Sequence, residues 1–174
     1  PVELSSWHVR WDAAAGDADY RAMRGKLSKV VIFAACYDER DELYVPQEVQ
    51  ALVNAYSIRK VERYLSFTND ILGKKRVEKD RELLRRLLAT DEQMEKEAKA
   101  MADLAEKFGM EGVELDYENF RKDEEIMVRY VAFAKKLAEV AEERGLRLRI
   151  VLEPLMAYDV GLPEGPEYVV MLYH

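Results

Sequence analysis

Short apolar runs alternate with amphipathic stretches along the chain. The segments VELSSWHV (2–9), KVVIFAACY (29–37), RKVERYLSF (59–67), GVELDYE (112–118), LRLRIVLE (146–153) and EYVVMLYH (167–174) are rich in β-branched and aromatic residues and predict six strands. Between them the apolar spacing widens to that of a helix. Pro46 stands where a first helical turn tolerates proline, ahead of Val49, Leu52 and Val53 on one face. Thr90 and Gln93 have capping-box spacing in front of a stripe of Met94, Ala98, Met101, Ala105 and Phe108, which Gly109 closes. Asp123 caps a third stripe, Ile126, Tyr130, Phe133, Leu137 and Ala141, that ends before Gly145.

Strand, helix, strand in this order predicts parallel strands joined by right-handed crossovers. A doubly wound sheet would carry a Gly-rich phosphate loop after its first strand, and WHVRWDAAAG has a single glycine. An α/β fold of the (β/α)8 TIM-barrel type fits better, because the distinctive polar residues fall at the C-terminal ends of the strands, where that fold places its active site. A complete barrel takes about 250 residues. The expectation is therefore a single catalytic barrel domain over residues 1–174 with about six βα units, truncated after the sixth strand.

Composition narrows the function classes. With 49% hydrophobic residues in 174, the chain can bury a substantial core. A net charge of -7 and a pI near 5.1 leave no basic face for nucleic acid. No apolar run approaches the roughly 20 residues needed to span a bilayer, and no signal peptide opens this chain. Cys36 is the only cysteine; it follows VVIFAA and reads as a buried, inert thiol rather than a nucleophile.

The stretch EGVELDYENF places Glu111, Glu114, Asp116 and Glu118 within eight positions. On a strand, Glu114, Asp116 and Glu118 share one face while Val113, Leu115 and Tyr117 take the other. Three inward carboxylates repel one another at low dielectric, so at least one holds a proton near neutral pH. Glu118, last in the series and nearest the barrel mouth, is the natural proton donor, with Asp116 placed to share or pass the proton. Tyr117 points away from the interior and reads as structural. Trp7, Trp11 and Tyr37, near the ends of strands one and two, are candidate aromatic binding platforms, with core packing as the competing role. Asn69 and Asp70, placed after the third strand, are candidate substrate contacts or simply loop polarity.

EGVELDYE resembles the fourth-strand signature of glycoside hydrolase family 18, the chitinase-like barrels, with Glu111 and Glu114 at positions where aspartates are usual. WHVRWD and FAACYDERDEL resemble the first two strands of the branch containing bacterial spore-cortex and peptidoglycan N-acetylglucosaminidases. YLSFTND stands at the third strand without the paired glycines common in chitinases. YVVMLYH is similar to the sixth strand, where Met-x-Tyr is usual, so Met171 and Tyr173 match and His174 replaces an aspartate or asparagine. The resemblance implies a retaining, substrate-assisted hydrolase of β-linked N-acetylglucosamine glycans that needs no cofactor. It implies Glu118 as acid and base, Asp116 and Tyr173 holding the acetamido group, and Glu114, Trp11, Tyr37, Asn69, Met171 and His174 around the substrate. It further implies a carbohydrate polymer or oligosaccharide as partner and a secreted or cell-envelope location.

Two rival readings come from the same residues. Glu118, Glu153 and His174 end three successive strands and could gather a divalent ion, whereas His8 reads as a strand residue beside the core. A chitinase-like lectin that binds sugar without turnover would retain the fold and lose the chemistry.

Overall fold

The computed structural model describes residues 6–8, 30–56, 61–154 and 161–170. Eight strands form one sheet: β1 (Ser6–His8), β2 (Val30–Tyr37), β3 (Leu43–Tyr44), β4 (Glu62–Leu72), β5 (Arg76–Val77), β6 (Gly112–Asp116), β7 (Arg147–Leu152) and β8 (Glu167–Val170). The helices are α1 (Gln47–Tyr56), α2 (Arg81–Leu87), α3 (Asp91–Lys107) and α4 (Glu124–Glu143). The main path β1-β2-β4-β6-β7-β8 is parallel throughout, and β3 and β5 add short antiparallel pairs to β2 and β4. Among the described residues the sheet is open, so this is a partial (β/α) barrel of six consecutive parallel strands.

Local chemistry sets the helix ends. Thr90 accepts a hydrogen bond from the Gln93 amide at 3.1 Å, and Asp123 accepts one from Ile126 at 3.2 Å, as the capping patterns predict. The helix α2 was not legible as a period because seven residues, RELLRRL, are too few to show one. It is started by Asp80, whose carboxylate accepts from the Glu82 amide, and it buries Leu83, Leu84 and Leu87. Its leucines, with Phe33, Phe67, Leu115, Phe133, Leu137 and Ile150, form the core between sheet and helices. Each such side chain removed from water contributes about 1.5–3 kcal/mol.

The opposite face of the sheet is the barrel interior. Strand register aligns Ile32, Tyr64, Gly112 and Arg147 in one row and Ala34, Ser66, Glu114, Arg149 and Glu167 in the next. Gly112 keeps the lower row closely spaced: a Cβ there would lie 2.7 Å from the Arg147 carbonyl oxygen and 3.0 Å from the Tyr64 ring. Gly112→Ala should therefore destabilise the protein by about 1–3 kcal/mol, read as a lowered urea midpoint with an unchanged slope.

Two strand ends differ from the sequence reading. The third main strand runs from Glu62 to Leu72 rather than over 59–67, because Ile71 and Leu72 pair with Val77 and Arg76 in a hairpin. Within it, the pairing passes from Ala35 with Phe67 to Tyr37 with Ile71, so one residue of β2 faces three of β4 and β4 bulges at Thr68–Asp70. The fourth strand stops at Asp116 rather than Glu118, and the Asn69 side chain takes over the pairing that a neighbouring strand would supply.

Candidate active site

The β6 residues Glu114 and Asp116, followed by Glu118, rise along the interior face as the alternation predicts, and all three are buried. Glu114 is deepest. Its Oε1 accepts from Ser66 Oγ at 2.8 Å, and its Oε2 lies 3.1 Å from Arg149 Nε, an ion pair that is itself buried. Burial raises the Glu114 carboxyl to about 7, against the opposing pull of Arg149 and Ser66.

Asp116 is raised well above the ordinary carboxylate range, first by burial and then by the charges of Glu114 and Glu118, a hydrogen bond with Glu118, and Asp70. Its Oδ1 is buried with no hydrogen-bond partner among the described residues. Burial and the neighbouring carboxylates together favour the neutral form of Asp116.

Glu118 is held at both backbone groups. Its N–H donates to Asn69 Oδ1 at 2.8 Å, and its carbonyl accepts from Asn69 Nδ2 at 2.9 Å. The Glu118 Oε2 lies 2.5 Å from Lys79 Nζ, which arrives from the turn after β5. Lys79 and Asn119 both adopt left-handed backbone conformations, φ 51° and 67°, and are tied together by Asn119 Nδ2 donating to the Lys79 carbonyl at 3.1 Å. Such conformations persist where the surroundings over-determine them, commonly at functional sites. Glu153, at the end of β7, accepts from the Asn119 amide. Above these groups opens a cleft of about 600 Å³ lined by Glu78, Lys79, Glu118, Asn119, Arg121 and Glu153.

Two candidate substrate residues are corrected. Tyr37 is no sugar platform: it faces the helices, is fully buried, and donates its hydroxyl proton to Glu97 at 2.8 Å. Asn69 is not a loop residue open to substrate but a buried strand residue, 1% exposed, whose amide is consumed by the Glu118 backbone. Replacing it with leucine should orphan both groups at about 1–3 kcal/mol each, measurable by chemical denaturation. Asp70 does join the cluster: burial raises its carboxyl, and Oδ1 accepts from the Lys79 amide at 2.8 Å. Tyr117 is buried on the helix side, stacked on Phe133, as its parity predicts. Cys36 is buried, with Sγ 3.9 Å from the Tyr44 carbonyl. Trp11, Met171, Tyr173 and His174, and the side chains of Trp7 and His8, lie outside the described residues. Among the described residues no three His, Cys, Asp or Glu side chains gather as metal ligands.

Arg149, Ser66 and Lys79 were missed by sequence reasoning. Strand parity did carry a signal for Arg149: in LRLRIVLE it alternates with Leu148 and Ile150 and so faces inward with Glu153. Lys79 had none, since the hairpin that delivers it reads as charged loop.

Solved structures with this architecture are numerous. The spore cortex-lytic enzyme SleL of Bacillus cereus matches with a TM-score of 0.72 at 20% identity, over 99% of this chain and 41% of that one. The fold is that of the family 18 glycoside hydrolase barrels. A GH18 chitinase from Cycas revoluta, solved in complex with (GlcNAc)3, matches at a TM-score of 0.72 and 17% identity over 99% of this chain and 55% of that one. A chitinase from Chromobacterium violaceum matches at 0.70 and 12% over 95% and 50%. The chain thus spans about half the length of these family 18-fold enzymes. No family sequence profile and no curated protein sequence matches it. No helix among the described residues is long and apolar enough to cross a membrane.

Proposed function

We propose that residues 1–174 are part of a single family 18 catalytic barrel that cleaves β-linked N-acetylglucosamine glycans, chitin-like or peptidoglycan, with further strands completing the barrel. The observation that carries this reading is the Asp116–Glu118 pair: two buried carboxyls that act on each other beneath an open cleft, at the end of β6, in the stretch whose sequence resembles the family 18 signature. Similarity to chitinases and to a spore cortex-lytic enzyme supports the glycan class and an extracellular or cell-envelope setting.

Ordinary retaining glycosidases use a second carboxylate as nucleophile. Here the acetamido oxygen of the sugar attacks the anomeric carbon as the glycosidic C–O bond breaks, and Glu118 gives its proton to the leaving oxygen. Asp116, with Tyr173, holds the acetamido group in line for that attack. Water then adds to the anomeric carbon of the oxazolinium, Glu118 takes the water's proton, and the product keeps its β configuration. Glu114 stays ion-paired to Arg149 beneath, fixing β6 rather than contacting the sugar.

The Lys79–Glu118 ion pair gives one specific reason to keep the lectin reading, since Glu118 must carry a proton to act as acid and that form has no charge for Lys79 to meet. A fluorogenic β-linked N-acetylglucosamine oligosaccharide separates the two on a chain extended to close the barrel. Release of the fluorophore supports the hydrolase. Saturable binding with no release after long incubation selects the lectin.

A further inference from the structure

Tyr117 stands between Asp116 and Glu118 in the chain, but its ring lies on the helix side of the sheet. Its hydroxyl is 2.7 Å from that of Tyr37, and Tyr37 is 2.8 Å from Glu97 Oε1. Each phenol has a single proton. With Glu97 ionised, Tyr37 donates its proton to Glu97, so Tyr117 is the donor to Tyr37, and the hydrogen bonds run in one direction from the β6 terminus to the carboxyl of Glu97.

Glu97 has no part in the chemistry proposed above, yet it is 5% exposed in the middle of α3, on the face that otherwise buries Met94, Ala98, Met101 and Ala105. An isolated buried carboxylate is costly, and an apolar residue would fill that face without the cost. One edge of Glu97 borders a surface groove of about 610 Å³, also lined by Arg40, Asp41, Gln93, Lys96 and Ala100.

We propose that Glu97 is a positioning residue: gain or loss of its proton is passed through Tyr37 and Tyr117 to the end of β6, where it alters the placement of Asp116 and Glu118. With Glu97 ionised, the bond from Tyr37 is charge-assisted and draws both phenols toward α3; with Glu97 neutral, the same bond weakens. Burial lifts the Glu97 carboxyl to about 7, so both forms are populated around neutrality. The groups facing it are Tyr37 of β2, Tyr117 after β6, Asp41 of the turn after β2, and Lys96 of its own helix. Asp41 is in turn held by Arg86 of α2 at 2.7 and 2.9 Å, and Tyr130 of α4 lies close enough to act on Tyr117. Removing the link should change turnover by about 2- to 30-fold, the range of coupling carried by side chains that touch no substrate.

The experiment follows the ring signals of 13C-labelled tyrosine from pH 5 to 9 in wild type, Glu97→Gln and Tyr37→Phe, with Tyr117→Phe assigning the Tyr117 signal. The expected result is a step in the Tyr117 signal near pH 7 in wild type that is absent from both other variants, while all four proteins give native circular dichroism. A Tyr117 signal that shows no step, or a step that survives Glu97→Gln, overturns the proposal. The kinetic arm rests on the glycosidase reading: Glu97→Gln should flatten the wild-type dependence of kcat on pH around neutrality and leave KM unchanged. An unaltered kcat profile also overturns the proposal. A wild type with the Tyr117 step but no turnover on any N-acetylglucosamine glycan sinks the glycosidase reading alone and supports the link.

Discussion

Arg149→Met should cost about 3–5 kcal/mol of folding free energy, the expected penalty for leaving one partner of a buried ion pair uncompensated. Arg149 and Glu114 are both almost inaccessible to solvent, and Arg149 Nε is the only cationic group placed against the Glu114 carboxylate among the described residues. The direction of the pH dependence follows from Glu114. Its folded-state value, about 7, lies above the ordinary 4.5, so the stability belonging to its neutral form is complete below about 4.5 and is lost as the pH rises through 7. Without the guanidinium that loss continues to higher pH. The deficit relative to wild type should therefore be small near pH 4 and greatest in alkaline solution, as read from urea midpoints across that range. Adding Glu114→Gln should recover most of the stability, because a neutral amide can still accept from Ser66 and leaves no buried charge behind. A single variant as stable as wild type at pH 8 would remove the ion pair from the account.

Glu118→Gln is expected to lower kcat on N-acetylglucosamine oligosaccharides by about 10²- to 10⁴-fold, the contribution of a positioned general acid, with KM changed only a few-fold. The amide keeps the shape of the side chain and both backbone hydrogen bonds to Asn69. Lys79, the cationic group that meets it, is about half exposed, so the lost ion pair carries about 0–1 kcal/mol. A fall in turnover without a fall in unfolding midpoint would therefore report chemistry and not folding. Turnover within threefold of wild type would remove Glu118 from the acid role.

Much of the scaffold was legible because its signals are local. Short apolar runs rich in β-branched and aromatic residues located the six main strands, and the Thr90 and Asp123 caps fixed two helix starts. Parity alone put Glu114, Asp116 and Glu118 on one face and Tyr117 on the other. What failed to show depended on contacts distant in sequence. Asn69 was left between substrate contact and loop polarity because a polar pair ending an apolar run normally signals a turn, and nothing local says that its amide will span to Glu118, 49 positions away. Tyr37 was left between a sugar platform and core packing because it ends its strand; it continues the helix-facing series Val31, Phe33 and Ala35 and packs in the core. Glu97 was hidden among the many acids of α3, where one buried carboxylate looks like its solvated neighbours until Tyr37 and Tyr117 are seen to meet it.

The central claim is hydrolysis assisted by the substrate's own acetamido group, and the product of the first turnovers tests it most directly. Proton NMR of a chitooligosaccharide digest, recorded before mutarotation, reports the anomer released, and a matched substrate with free amino groups reports the need for the acetyl. The account predicts β product from the acetylated substrate and no cleavage of the deacetylated one. An α product, or equal cleavage of both substrates, would contradict it.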